Sequence, residues 1–137
     1  PDPMTDFPTC RSQVLDYVQD NYGTVPEYPW ERTPDAAVLR QKGNAKWYGL
    51  IMRIPAQKLG IPTDAMTDIL NVKCSPLEIG SLLQKPGIFP AYHMNKTHWI
   101  SILLDGTVPE AELFFLLDQS FARTKTTPKS QKKEEHA

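Results

Sequence analysis

Residues 36–54, AAVLRQKGNAKWYGLIMRI, decide the fold, because two strand-like runs meet at Gly43-Asn44, a pair suited to the positive φ angles of a tight hairpin turn. With those two residues as the turn, strands at Ala36–Lys42 and Ala45–Ile54 pair so that Lys42 faces Ala45, Arg40 faces Trp47, Leu39 faces Tyr48 and Ala37 faces Leu50. Alternation along the strands places Ala37, Leu39, Tyr48, Leu50, Met52 and Ile54 on one face, which the core should cover. Arg40, Lys42, Trp47 and Arg53 then share the opposite face.

Working outward, Pro55 ends the second strand and Ala65–Lys73 reads as a third. Ser75-Pro76-Leu77-Glu78 is a capping box with proline at the first helical position, opening a short helix that stops at Pro86-Gly87. Ile88–Met94 and Thr97–Leu104 form a second hairpin about Asn95-Lys96, so Met94 faces Thr97, His93 faces His98 and Tyr92 faces Trp99. His98 then alternates with Ile100, Ile102 and Leu104 on the core side. Thr107-x-x-Glu110 is a second capping box, and the helix after it buries Leu113, Leu116, Leu117 and Phe121.

Before the first hairpin, a helix spans about Thr9 to Tyr22, with Thr9 as cap, Cys10, Val14, Tyr17 and Val18 on its apolar face and Gly23 as terminator. Thr24–Pro34 is a proline-rich ordered loop carrying Tyr28 and Trp30. The order α-β-β-β-α-β-β-α, with hairpin connections, predicts an α+β two-layer sandwich: a mostly antiparallel sheet with its helices on one face. One domain is expected over residues 4–124, after a Pro1-Asp2-Pro3 remnant of expression cloning and before a disordered polar tail at 125–137.

With 137 residues an ordinary hydrophobic core suffices, and two cysteines do not make a disulfide scaffold. There is no signal-peptide pattern and no apolar run long enough for a membrane span, so a cytoplasmic protein without membrane contact, and a monomer, is expected. The net charge of −1 is unevenly distributed: residues 1–122 hold 10 basic against 14 acidic side chains, and 123–137 hold five against two. Nucleic-acid binding must therefore come from a local basic face or the tail.

Cys74 with His93 or His98 is the one cysteine–histidine combination suggestive of nucleophilic catalysis, but no local signature places a base; both cysteines read as small buried fillers. His93 facing His98 could share a metal, yet no third ligand is evident, and a hydrogen-bonded structural pair is the expected role. Phosphate-binding glycine motifs are absent, which leaves a nucleotide cofactor without support, and the chain is expected to be neither an enzyme nor cofactor-dependent. The face opposite the core carries chemistry of a different kind. Arg40, Lys42, Trp47 and Arg53 join Tyr92, Trp99 and Ser101 there, with Lys42 and Lys46 at one hairpin tip and Lys96 at the other. Cations beside aromatic rings suit phosphates and bases, although Arg40 over Trp47 could equally be a cation–π pair covering an exposed ring.

At Cys74-Ser75-Pro76, at PGIFPAYHMNKTHWIS (residues 86–101), at Tyr28-Pro29-Trp30 and at Lys46-Trp47-Tyr48 the chain resembles the MmcQ/YjbR family of small bacterial proteins. The resemblance implies a CyaY-like fold and DNA binding through a double wing of hairpins. Its matching positions are Trp30, Trp47, Lys73, His93, Asn95, Lys96, His98 and Trp99. The nucleic-acid candidates are thus Arg40, Lys42, Lys46, Trp47, Arg53, Lys73, Asn95, Lys96 and Trp99. Trp30, Tyr92, His93 and His98 are candidates for the alternative, a small-ligand or protein-binding face. The CyaY-like fold also raises iron binding, but the first helix offers only Asp16 and Asp20 where an acidic cluster is expected.

Overall fold

The structure, a computed structural model, describes residues 10–125; the expectations for Thr9, for the first three residues and for the tail past Lys125 lie outside the described residues. The elements are α1 (Arg11–Tyr22), β1 (Ala37–Arg40), β2 (Trp47–Pro55), a 3-10 turn (Ala56–Leu59), β3 (Met66–Lys73), α2 (Pro76–Leu82), β4 (Ile88–Pro90), β5 (Trp99–Leu103) and α3 (Glu110–Thr124). The strands form one antiparallel sheet in the order β1-β2-β3-β5-β4, and the α+β sandwich is as expected. Val14 and Val18 of α1, Leu82 of α2 and Leu113, Leu116 and Leu117 of α3 pack with Leu39, Ile51, Leu70, Val72, Ile100 and Ile102 on one side of the sheet. No helix among the described residues is long and apolar enough to cross a membrane.

Local chemistry explains the helix ends. Cys10 is the N-cap of α1 and is half-buried, not a buried filler; its backbone N–H donates to Gln13 Oε1 at 2.9 Å, and Gly23 closes the helix at φ 69°. Ser75 is the N-cap of α2 and Pro76 takes the first helical position, as expected, but Ser75 Oγ accepts from Leu77 N–H at 3.3 Å and Glu78 N–H donates to the Ser75 carbonyl at 2.9 Å, so the reciprocal bonds of a capping box do not form. Thr107 does not cap α3. Its N–H donates to Asp105 Oδ1 at 2.9 Å, and the helix starts after Pro109, where the missing N–H costs nothing.

The first hairpin departs from its expected form. Gln41 N–H donates to Lys46 O at 2.8 Å and Ala45 N–H to Gln41 O at 3.1 Å, so the loop is Lys42–Ala45, and Ala45 carries the positive φ of 61°. Asn44 is drawn elsewhere: its side chain accepts from Lys46 N–H at 2.8 Å and donates to Thr124 O at 2.9 Å, tying the loop to the end of α3. Arg40 still faces Trp47, but the next pairs are Leu39 with Gly49, Val38 with Leu50 and Ala37 with Ile51. Tyr48 is therefore an extra residue, a bulge that turns the rest of β2 over.

Its cause is the burial of Tyr48 against the helices, where its hydroxyl meets Thr24 Oγ1 and its ring packs edge-on to Tyr22 and Phe121. Gly49 permits it, because a Cβ there would stand 2.8 Å from Leu39 Cδ1. Leu50, Met52 and Ile54, expected beside Tyr48, instead lie on the open face of the sheet. Arg53 turns to the helix side and lies 3.6 Å from Asp68, which Arg11 also reaches at 3.2 Å.

The second hairpin is also shorter than expected. Ile88 pairs with Ile102, Phe89 with Ser101 and Pro90 with Ile100, and residues 91–98 are a loop. Pro90 offers no N–H to extend the ladder, and Asn95 starts a helical turn instead, its side chain accepting from Thr97 N–H at 2.8 Å and its carbonyl from Trp99 N–H at 2.9 Å. The expected pairs Met94–Thr97, His93–His98 and Tyr92–Trp99 do not form.

Burial pushes the Tyr48 hydroxyl up from its ordinary value of 10.0 to about 12. Between those values the unfolded chain has lost the proton that the folded chain keeps, so stability is intact below pH 10 and falls as pH rises toward 12. Urea unfolding from pH 9 to 12 should show a loss on the order of 1 kcal/mol per pH unit, reduced in Tyr48→Phe. A flat profile would contradict the burial of this hydroxyl.

Candidate nucleic-acid interface and its grooves

Register sets out the open face in rows. At the end where β1 stops and β5 begins stand Arg40 beside Trp47 and Lys73 beside Trp99. The next row runs Val38, Leu50, Asn71, Ser101 and Phe89 across all five strands, and the one beyond it Met52, Ile69 and Leu103. Two polar side chains, Asn71 and Ser101, thus sit fully buried in the middle of an apolar face.

They are satisfied by one another and by the loop after β4. Ser101 Oγ donates to Asn71 Oδ1, Asn71 Nδ2 donates to the Tyr92 carbonyl at 3.2 Å, and Tyr92 N–H donates to Ser101 Oγ at 2.9 Å. Residues 91–94 are held down as a strap over the sheet. Tyr92 packs on the Ile54–Ile69–Leu103 cluster, and Met94 reaches the Ala36–Val38–Leu50 cluster beyond β3. Between them His93 takes a left-handed backbone, φ 60°, with its ring 4.0 Å from that of Tyr92.

A groove lies on each side of the strap. One, of about 340 Å³, is lined by Trp30, Thr33, Trp47, Leu50, Met52, His93 and Met94, with the Trp30 and Trp47 rings edge to face at 5.8 Å. The other, of about 380 Å³, is lined by Lys58, Leu59, Phe89, Pro90, Ala91, Tyr92, His93 and Lys96. His93 borders both, and no carboxylate among the described residues lines either.

The cations divide into two groups. Arg40 donates to Glu27 at 2.9 Å and lies 5.7 Å from the Trp47 ring centroid, so it covers the ring and its charge is matched. Arg53 is on the other side of the sheet with Asp68. Lys42, Lys46, Lys73 and Lys96 have no ion-pair partner among the described residues; Lys42 arches over Gly23 at the end of α1. Asn95 is exposed but spends its side chain on the Thr97 turn. Half-buried His98 serves through its backbone, its carbonyl accepting from Cys74 N–H at 2.8 Å.

His93 and His98 do not face each other, and no group of three or more His, Cys, Asp or Glu among the described residues could hold a metal ion. Cys74 is buried, which pushes its thiol up and away from reactivity, whereas the hydrogen bond with Ser12 draws the Cys10 thiol down. Lys58, Asn71 and the strapping role of Ser101 went unread in the sequence. Lys58 falls in the irregular stretch after Pro55, and the two polar residues show only as interruptions in apolar strands.

The YjbR family model matches residues 20–123. The protein YyaQ of Bacillus subtilis is 48% identical over 115 residues, covering 84% of this chain and 98% of its own. YjbR of Escherichia coli K12 is 37% identical over 54 residues, 38% of this chain and 45% of its own. Among solved structures, a Pseudomonas syringae protein superposes with a TM-score of 0.83 at 50% identity, covering 84% of this chain and 98% of that one. A Deinococcus radiodurans protein gives 0.66 at 26% identity over 92% and 87%.

Replacing Asn71 by Ala leaves the Tyr92 carbonyl and the Ser101 hydroxyl short of a partner in an apolar setting. A loss of about 1–3 kcal/mol in urea unfolding is expected, with faster amide exchange across residues 91–94. Unchanged exchange there would show that the strap is held by other contacts.

Proposed function

The chain belongs to the YjbR family, and from that premise we propose that it binds duplex DNA with little sequence selectivity, through the hairpin loops 41–46 and 91–98. The observation that carries this reading is the placement of lysines with no ion-pair partner among the described residues. Both loops open at the same end of the sheet, with β3 between the hairpins, so Lys42, Lys46 and Lys96 lie in loops at the end where Lys73, Trp47 and Trp99 stand. Three strand spacings separate the hairpin axes, about 14 Å, close to the roughly 12 Å width of a major groove. Arg40 and Arg53, matched by carboxylates, contribute little charge to this surface.

With so few phosphate contacts, dissociation constants on the order of 10⁻⁴ to 10⁻⁶ M are expected at physiological salt. A second reading, a small-ligand site, is favoured by the Trp30–Trp47 groove, which no lysine or arginine among the described residues lines. Fluorescence anisotropy of a short labelled duplex at low and at physiological salt tests the DNA reading. Binding should weaken steeply with salt, and the combined variant Lys42→Ala, Lys46→Ala, Lys96→Ala should weaken it by about tenfold or more and flatten the salt slope. No binding at low salt, or an unaltered slope in the variant, overturns it.

A further inference from the structure

We infer that the two grooves flanking His93 form one composite site for a small aromatic carboxylate, an inference that rests on the ligand-binding reading above and names its ligand class. His93 lines both grooves, one on each side of the strap, and their chemistry differs in a complementary way. On the Trp30 side the walls are two indoles set edge to face, Leu50 and two methionines, Met52 and Met94. Such walls accept a flat ring system by stacking and by the give of the thioethers.

On the far side of the strap stand the ammonium groups of Lys58 and Lys96. Neither has an ion-pair partner among the described residues, and no carboxylate shares the groove to neutralise them. An aromatic ring seated beside Trp30 and Trp47, with a carboxylate carried past His93 toward Lys58, satisfies both halves. A neutral ring makes no use of the lysines, and an inorganic anion makes no use of the aromatic slot. The left-handed backbone of His93, unusual for a residue with a side chain, sits at the junction of the halves, where backbone strain tends to collect in binding sites.

The test is a titration of the full chain followed by the indole N–H resonances of its three tryptophans, with naphthoate as the ligand and naphthamide as its neutral counterpart. Naphthoate should shift Trp30 and Trp47 in a saturable way and leave Trp99, which lines neither groove, in place. Lys58→Gln should weaken naphthoate about tenfold and leave naphthamide and duplex DNA unaffected. Trp30→Ala should abolish the saturable response of Trp47, and both substituted side chains are exposed, so the backbone amide spectrum should stay native-like. Equal affinity for naphthoate and naphthamide would overturn the carboxylate class while leaving a ligand-binding groove. Failure of both ligands to move Trp30 and Trp47 would overturn the ligand-binding reading itself.

Discussion

Burial of Tyr48 governs the rest of the open face. A tyrosine side chain taken wholly out of water contributes about 2–3 kcal/mol, and this one also pairs its hydroxyl with Thr24 among the rings of Tyr22 and Phe121. Admitting it on the helix side while Ile51 stays there requires one extra residue in β2. The ladder accommodates that residue between Arg40–Trp47 and Leu39–Gly49. Leu50, Met52 and Ile54 are thereby committed to the open face, and Arg53 to Asp68 on the helix side. A sheet that is apolar on both sides needs covering on both: helices serve one side, and Trp30 with the strap at 91–94 serves the other.

Element order and two of the helix ends were legible because each rests on chemistry confined to a few neighbouring residues: Gly23 closing α1, Ser75-Pro76 opening α2, and apolar spacing along α3, whose start was misplaced at Thr107. Strand faces beyond Trp47 were not, because alternation read along one strand carries no mark of an inserted residue. Gly49, a glycine inside a strand pattern, was the available sign. The turn at Asn95-Lys96 failed for a comparable reason. Asn95 can serve a tight turn or cap a helical turn equally well, and Pro90, five residues earlier, decided between them by ending the ladder.

The site was legible in part. Trp47 beside Arg40, the lysines of both loops and the exposed Trp30 are where the pattern and the family resemblance put them. What sequence spacing could not reveal is which cations are already matched. Glu27 meets Arg40 because an isolated bridge sets Glu27 against Val38, and Asp68 meets Arg53 because the bulge turns them to one side. Charge available to a partner is a property of contacts between distant segments, so a count of basic residues along the chain overstates it.

The strap is where local strain and buried polarity balance. A left-handed φ at His93 costs on the order of 1 kcal/mol or somewhat more, and crossing an apolar face leaves the Tyr92 amide and carbonyl without water. Three buried hydrogen bonds through Asn71 and Ser101 offset this at about 1 kcal/mol each, and the packing of Tyr92 and Met94 on the two apolar clusters adds to them. The balance favours the strap lying against the sheet. Both grooves are therefore fixed features of the fold, since the hydrogen bonds and packing that hold the strap also set their walls.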